Sequence, residues 1–147
     1  MIRAASQLDL DSLMGLTRQM HAEGEFHSAP LAEPKVRAIF SRLITGGFLM
    51  VNDGAEGVDA MLAGMVSEQW YSTARVASDV IFFVRPTKRG GFAAVRLIQA
   101  FVAWGKEQGA AEINIAQSSG VRVTEFAHLM SGMGFDHAGG VFKWRFA

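Results

Sequence analysis

The apolar positions change their spacing sharply near the middle of the chain. Val80, Ile81, Phe82, Phe83 and Val84 form a short run of β-branched and aromatic residues, which predicts a strand buried on both faces. Arg85 and Pro86 end it, Thr87, Lys88 and Arg89 keep the next turn exposed and basic, and Gly90 and Gly91 admit backbone angles closed to other residues. From Phe92 to Gln108 the polar residues Arg96, Gln99, Lys106 and Glu107 share one narrow stripe, while Val95, Leu97, Ile98, Phe101, Val102 and Trp104 cover the rest. That pattern predicts a helix lying against a sheet. A strand that enters a helix through a glycine turn aims unpaired N–H groups and the positive end of the helix dipole at one point, which suits a phosphate.

The flanking segments read as follows. Ile2 to Ser6 predicts a short strand, and Ser6-Gln7-Leu8-Asp9 has capping-box spacing, with Asp9 in the reciprocal position. Leu10, Leu13, Met14, Leu16 and Met20 fit one face of a helix running to about Glu23. Gly24 to Pro34 is a loop. A second helix carries Val36, Ile39, Phe40, Leu43 and Ile44 and stops at Gly46-Gly47. Phe48 to Val51 and Met61 to Trp70 read as strands joined through Asn52 to Gly57, and Arg75 to Ser78 leads into the central strand. Glu112 to Ala116 alternates as a strand, placed parallel beside the central one by the right-handed crossover rule. After the polar loop Gln117 to Gly120, Val123, Phe126, Ala127, Met130 and Met133 mark a last helix. Phe135 to Ala138 and Val141 to Phe146 then predict a closing hairpin through Gly139-Gly140.

Composition narrows the class. At 147 residues, with 50% hydrophobic and 19% charged residues, the chain reads as one folded domain over 1–147. Equal numbers of basic and acidic residues, 14 each, give no basic field of the kind that nucleic acid selects. The absence of cysteine removes disulfides, thiolate metal sites and a cysteine nucleophile. His21, His27, His128 and His137 show no metal-ligand spacing, so no metal is expected. No apolar stretch reaches the ~18 residues of a membrane span, and the N-terminus lacks a signal-peptide pattern. The expectation is a cytoplasmic protein without a membrane partner.

The turn Lys88-Arg89-Gly90-Gly91-Phe92-Ala93 resembles the pyrophosphate loop of the GNAT acetyltransferase superfamily, Arg/Gln-x-x-Gly-x-Gly/Ala. Gly91 and Ala93 take the small positions, and Lys88 stands where Arg or Gln is usual. Alternatively, Arg89-Gly90 is the family's Arg-Gly pair with one residue deleted behind Pro86. Met133-Gly134-Phe135 resembles the family's Leu-Gly-Phe, and the opening Ile2-Arg3-Ala4-Ala5 followed by Asp9-Leu10-Asp11 is also similar. The resemblance implies an α/β (α+β) fold, a mixed, mostly antiparallel central sheet flanked by helices in the order β-α-α-β-β-β-α-β-α-β-β.

It further implies an N-acetyltransferase that uses acetyl-CoA as acyl donor and a primary amine, small molecule or peptide, as acceptor. The diphosphate would lie over Arg89 to Ala93 beside Lys88. The pantetheine arm would bond to the backbone of Phe82, Phe83 and Val84, and the Phe83 N–H is one candidate for the oxyanion. Asp79 and Glu68 are the candidate bases. Met130 stands where many members carry the tyrosine that protonates the departing thiolate, and methionine donates no proton. That proton would come from water, Tyr71 or His128. His21, Glu23, Glu25 and His27 fall on the segment that forms the family's acceptor wall. Met130 and Lys88 also suit a second reading, a non-catalytic acyl-CoA-binding or interaction module. The sequence is compatible with a homodimer and does not decide oligomeric state.

Overall fold

The computed structural model of the chain describes residues 1–26 and 28–146. Among these residues one sheet has the strand order β1 (Ile2–Ala4), β2 (Phe48–Gly54), β3 (Gly57–Glu68), β4 (Arg75–Val84) and β5 (Glu112–Asn114). The first four strands are antiparallel to their neighbours, and β5 runs parallel to β4. The helices are α1 (Leu10–Glu23), α2 (Glu33–Gly46), α3 (Ala93–Glu107) and α4 (Val123–Gly132). None is long and apolar enough to cross a membrane.

Strand alternation sorts the core into two layers. On β3, Met61 and Ala63 face α1 and α2, where they meet Leu13, Leu16 and Phe40. Ala60 and Leu62 face the other way, onto Leu97, Ile98 and Phe101 of α3. Each of these larger side chains, fully removed from water, contributes roughly 1.5–3 kcal/mol. The α1 entrance follows the sequence: Asp9 accepts the Ser6 N–H at 2.7 Å, the Ser6 hydroxyl accepts from the Leu8 N–H, and both capping-box bonds form. Arg3 then ties Asp9 to Asp53 of β2, bonding Asp9 at 2.8 and 2.9 Å.

One irregularity shapes the site. Ala63 pairs with Ile81 and Gly64 with Asp79, so Val80 is an extra residue in β4. The bulge reverses the alternation: Ala77 and Val84, seven positions apart, both belong to the α3 layer. Gly64 is required opposite it, since a Cβ there would stand 2.4 Å from the Phe101 ring and 2.8 Å from the Ser78 carbonyl.

Two sequence expectations are corrected. Val80 to Val84 is not buried on both faces: Val80 is 43% exposed and Ile81 and Phe82 are half-buried, because this length of strand borders a cavity. The closing pair of strands at 135–138 and 141–146 is not formed, and residues 135–146 have no regular structure. An isolated hairpin is marginal in water, β5 pairs over three residues only, and Lys143 and Arg145 are bonded sideways to Ser118 and Glu25 instead of lying in a ladder.

Candidate functional site

The cavity exists because β4 and β5 part. Their parallel ladder joins Val76 to Glu112, Ala77 to Ile113 and Ser78 to Asn114 and then stops, although β4 continues to Val84. Asp79 to Val84 therefore keep an open edge, which lines a cavity of about 680 Å³. Gln117 to Ser119 and the first turns of α4 form the facing wall, the head of α3 closes one end, and Met20, Glu23 and Phe26 close one side.

At the head of α3 the backbone passes through Gly90 with φ of +89°, a conformation that a Cβ would strain. Among the described residues, no protein acceptor meets the N–H groups of Gly90, Gly91, Phe92, Ala93, Ala94 or Val95; the first helical bond runs from the Arg96 N–H to the Phe92 carbonyl. Gly90, Gly91, Phe92, Ala94 and Val95 line the cavity with Lys88. Orphan donors and the positive helix end together suit an anion. Ala93, expected in the loop, is the exception: it packs into the α3 core layer and does not line the cavity.

Arg89 lines the cavity in an unexpected pose. Its Nε donates to the Val84 carbonyl at 3.0 Å, its terminal nitrogens grip both Glu23 oxygens at 2.8 and 2.5 Å, and its guanidinium lies 5.4 Å over the Phe83 ring. The pair holds the Glu23 carboxyl below the usual carboxylate range. The side chain thus faces α1, and the backbone of the turn rather than the Arg89 guanidinium is presented at the helix head.

Asp79 stands at the fork between the strands. Its Oδ1 accepts the Ala116 N–H at 3.0 Å, just past the last ladder pair. Burial pushes its carboxyl up to about 6, partly opposed by that hydrogen bond. A carboxylate near this value at a cavity wall is suited to accept a proton at neutral pH.

The other candidate catalytic residues lie elsewhere. Glu68 is exposed and pairs with Arg75, four residues before Asp79, hence about 13 Å away along the strand. Tyr71 is 68% exposed in the turn beyond, edge-on to Trp70. His128 is exposed on α4, whose cavity face carries Arg122, Glu125, Phe126 and Leu129. Met130 is buried in the α3 layer, so the cavity sees Leu129 at this level. On the expected acceptor wall, Glu23 lines the cavity, His21 donates from Nε2 to the Ala29 carbonyl at 2.7 Å, and Glu25 meets Arg145; His27 lies outside the described residues.

Sequence reading missed the contribution of α4. Arg122, Glu125, Phe126 and Leu129 follow the spacing of one helical face, the signal that would have found them. Arg122 precedes the helix with φ 48° and ψ 48°, the left-handed region, and nothing in the sequence marks it.

No protein-family model and no curated protein matches the sequence. Solved structures do match in shape. The aminoglycoside N-acetyltransferase AAC(6')-Iy in complex with CoA has a TM-score of 0.78 at 17% identity, over 99% of this chain and 93% of that one. The BH1408 protein of Bacillus halodurans, as a tetramutant, gives 0.79 at 16% identity, over 99% of both chains. An aminoglycoside acetyltransferase from an uncultured soil metagenomic sample, in complex with sisomicin, gives 0.72 at 18% identity, over 100% of this chain and 95% of that one. The chain has the GNAT fold. At these identities the likeness is one of architecture. Within the GNAT architecture, the parted strands, the orphan N–H groups and the half-buried carboxyl described above belong to this chain's own residues.

Proposed function

We propose that this GNAT-fold chain is an N-acetyltransferase that moves an acetyl group from acetyl-CoA to a primary amine of a small molecule or peptide. The observation that carries the reading is the row of unpaired N–H groups from Gly90 to Val95, opening into the cavity bordered by the free edge of β4. A diphosphate fits that donor set by charge and by hydrogen-bonding type. The amide-bearing arm behind it fits the open β4 edge along Phe82 to Val84 as an added strand would, up to the Val84 carbonyl that Arg89 engages. That two similarly shaped proteins are aminoglycoside acetyltransferases, solved with CoA, a bisubstrate analog or sisomicin, supports a small-molecule amine as acceptor.

Acetyl-CoA supplies the activated acyl group. The acceptor nitrogen forms the new C–N bond, the C–S bond breaks, and the amine proton passes to Asp79. The thiolate takes its proton from water, since Met130 donates none and Tyr71 and His128 lie away from the cavity. Met130, which donates no proton, favours the second reading, an acyl-CoA-binding module without turnover.

Calorimetric titration with acetyl-CoA, followed by CoA release against a panel of amines, tests both. Binding with turnover that depends on Asp79 supports the transferase. Binding without turnover across the panel selects the module, and no binding removes both readings.

A further inference from the structure

A second cleft lies on the other edge of β3. β2 begins at Phe48, opposite Gly64, while β3 runs on to Glu68 paired with β4 alone, so Met65 to Glu68 keep an open edge. The end of α2 stands on one face of the sheet there and the end of α3 on the other, around a space of about 520 Å³. Among the described residues Val80 alone lines both this cleft and the main cavity, and Asp79 precedes it in the chain. The bulge that leaves Val80 without a partner on β3 therefore joins the cleft to the neighbourhood of the half-buried carboxyl.

Charge separates the two spaces. In the main cavity both signs are present: Arg89 grips Glu23, and Lys88 and Arg122 stand with Asp79 and Glu125. The cleft is lined by Arg42 and Arg75 and by no carboxylate. Arg75 donates to the Gln108 carbonyl at 2.7 Å, which pins its guanidinium at the end of α3, and it faces Glu68 across the strand pair. Neither Arg42 nor Arg75 forms an ion pair among the described residues. Their remaining donors border the apolar side chains of Ile39, Leu43, Met65 and Trp104, where a charge-assisted bond to an arriving anion is less diluted by water than on an open surface. A polyamine finds no counter-charge here.

We infer that the acceptor amine also carries a carboxylate, which Arg42 and Arg75 bind in the cleft while the amine reaches Asp79 past Val80. The inference rests on the acetyltransferase reading of the main cavity and narrows its acceptor. Strand spacing sets the acceptor's length. Asp79 pairs with Gly64, and the cleft lies along the far edge of β3, one to two strand spacings or about 5–10 Å away. Two or three extended residues cover that distance. A short peptide or an ω-amino acid fits it, whereas an α-amino acid, with amine and carboxylate on one carbon, is too short.

Triglycine and triglycine amide share an amine and differ in the carboxylate. Their binding to the full chain, with and without CoA, is read by ligand-observed nuclear magnetic resonance titration. CoA release from acetyl-CoA is read with the same pair, with 6-aminohexanoate against hexylamine, and with spermidine. Triglycine should bind at least tenfold more tightly than its amide, and each acid should exceed its uncharged partner in kcat/KM by a similar factor. Arg42→Gln and Arg75→Gln should each shrink the acid-to-amide ratio, and Arg42→Lys should keep more of it than Arg42→Gln, all with unchanged far-ultraviolet circular dichroism spectra. No binding of triglycine, equal binding of acid and amide, or spermidine as the best acceptor overturns the inference. So does a ratio that survives in the double variant Arg42→Gln with Arg75→Gln. An acid preference in binding without turnover of any amine supports the carboxylate site and counts against the transferase reading alone.

Discussion

Replacing Asp79 by asparagine removes one negative charge while keeping the side chain's shape and an acceptor for the Ala116 N–H. The structure gives stability and activity opposite signs in this variant. Burial raises the carboxyl from 3.8 to about 6, so the folded state binds its proton more tightly than the unfolded chain does. The contribution of Asp79 to stability is therefore greatest below pH 3.8 and falls as the pH rises through about 6. At about 1.4 kcal/mol per unit of pKa, the loss by neutral pH is roughly 3 kcal/mol at most. An asparagine side chain does not ionise and escapes it. The variant should be more stable than the parent at neutral pH by up to that amount and nearly equal to it in acid, as measured by urea unfolding at several pH values. Activity moves the other way. Without the base, CoA release with a competent amine should fall by roughly a hundred- to ten-thousand-fold in kcat/KM, with acetyl-CoA affinity retained. The parent's kcat/KM should rise with pH about a midpoint near 6, and that limb should vanish in the variant. A destabilised variant would refute the buried-carboxyl reasoning. Unchanged kcat/KM would refute the assignment of the base.

Three further substitutions probe the frame around the site. Gly91→Val adds a side chain at the cavity lining where the nearest protein atom to the new Cβ is the Lys88 carbonyl at 3.7 Å; stability should hardly change, while acetyl-CoA affinity by calorimetry should fall at least tenfold as the branched side chain screens the N–H groups. Gly64→Ala pushes a methyl against the fully buried Phe101 ring and the Ser78 carbonyl, and should cost about 1–3 kcal/mol in chemical denaturation. Asp9, held at about 2 chiefly by its bonds to Arg3, contributes stability that is present above pH 3.8 and disappears as the pH falls through about 2. Asp9→Ala should cost about 2 kcal/mol at neutral pH and flatten the stability profile across that acid window, read by urea titrations.

Much of this architecture is readable from the order of residues. The glycine turn after the apolar run, the amphipathic helix that follows it and the capping box at Ser6 are local features, decided by neighbours within one or two turns of chain. Their positions in the structure match the pattern closely: the helix predicted from Phe92 to Gln108 is α3, Ala93–Glu107. The parallel placement of β5 follows from chain connectivity alone.

What periodicity does not carry is the partner of each side chain across the fold. Arg89 reads as a phosphate ligand in sequence, yet Glu23, 66 positions away, captures it. Glu68, Tyr71 and His128 carry suitable functional groups but sit on stretches that the packing directs away from the cavity, whereas Glu125 and Arg122 are brought to its wall. The extra residue at Val80 and the early end of the β4–β5 ladder open the groove, and the close approach of Gly64 to Phe101 and Ser78 beside the bulge joins residues distant in sequence. The closing segment shows the same limit: its alternation is the signature of a strand, but a strand needs an edge to bind, and whether one is within reach is settled by contacts between distant parts of the chain.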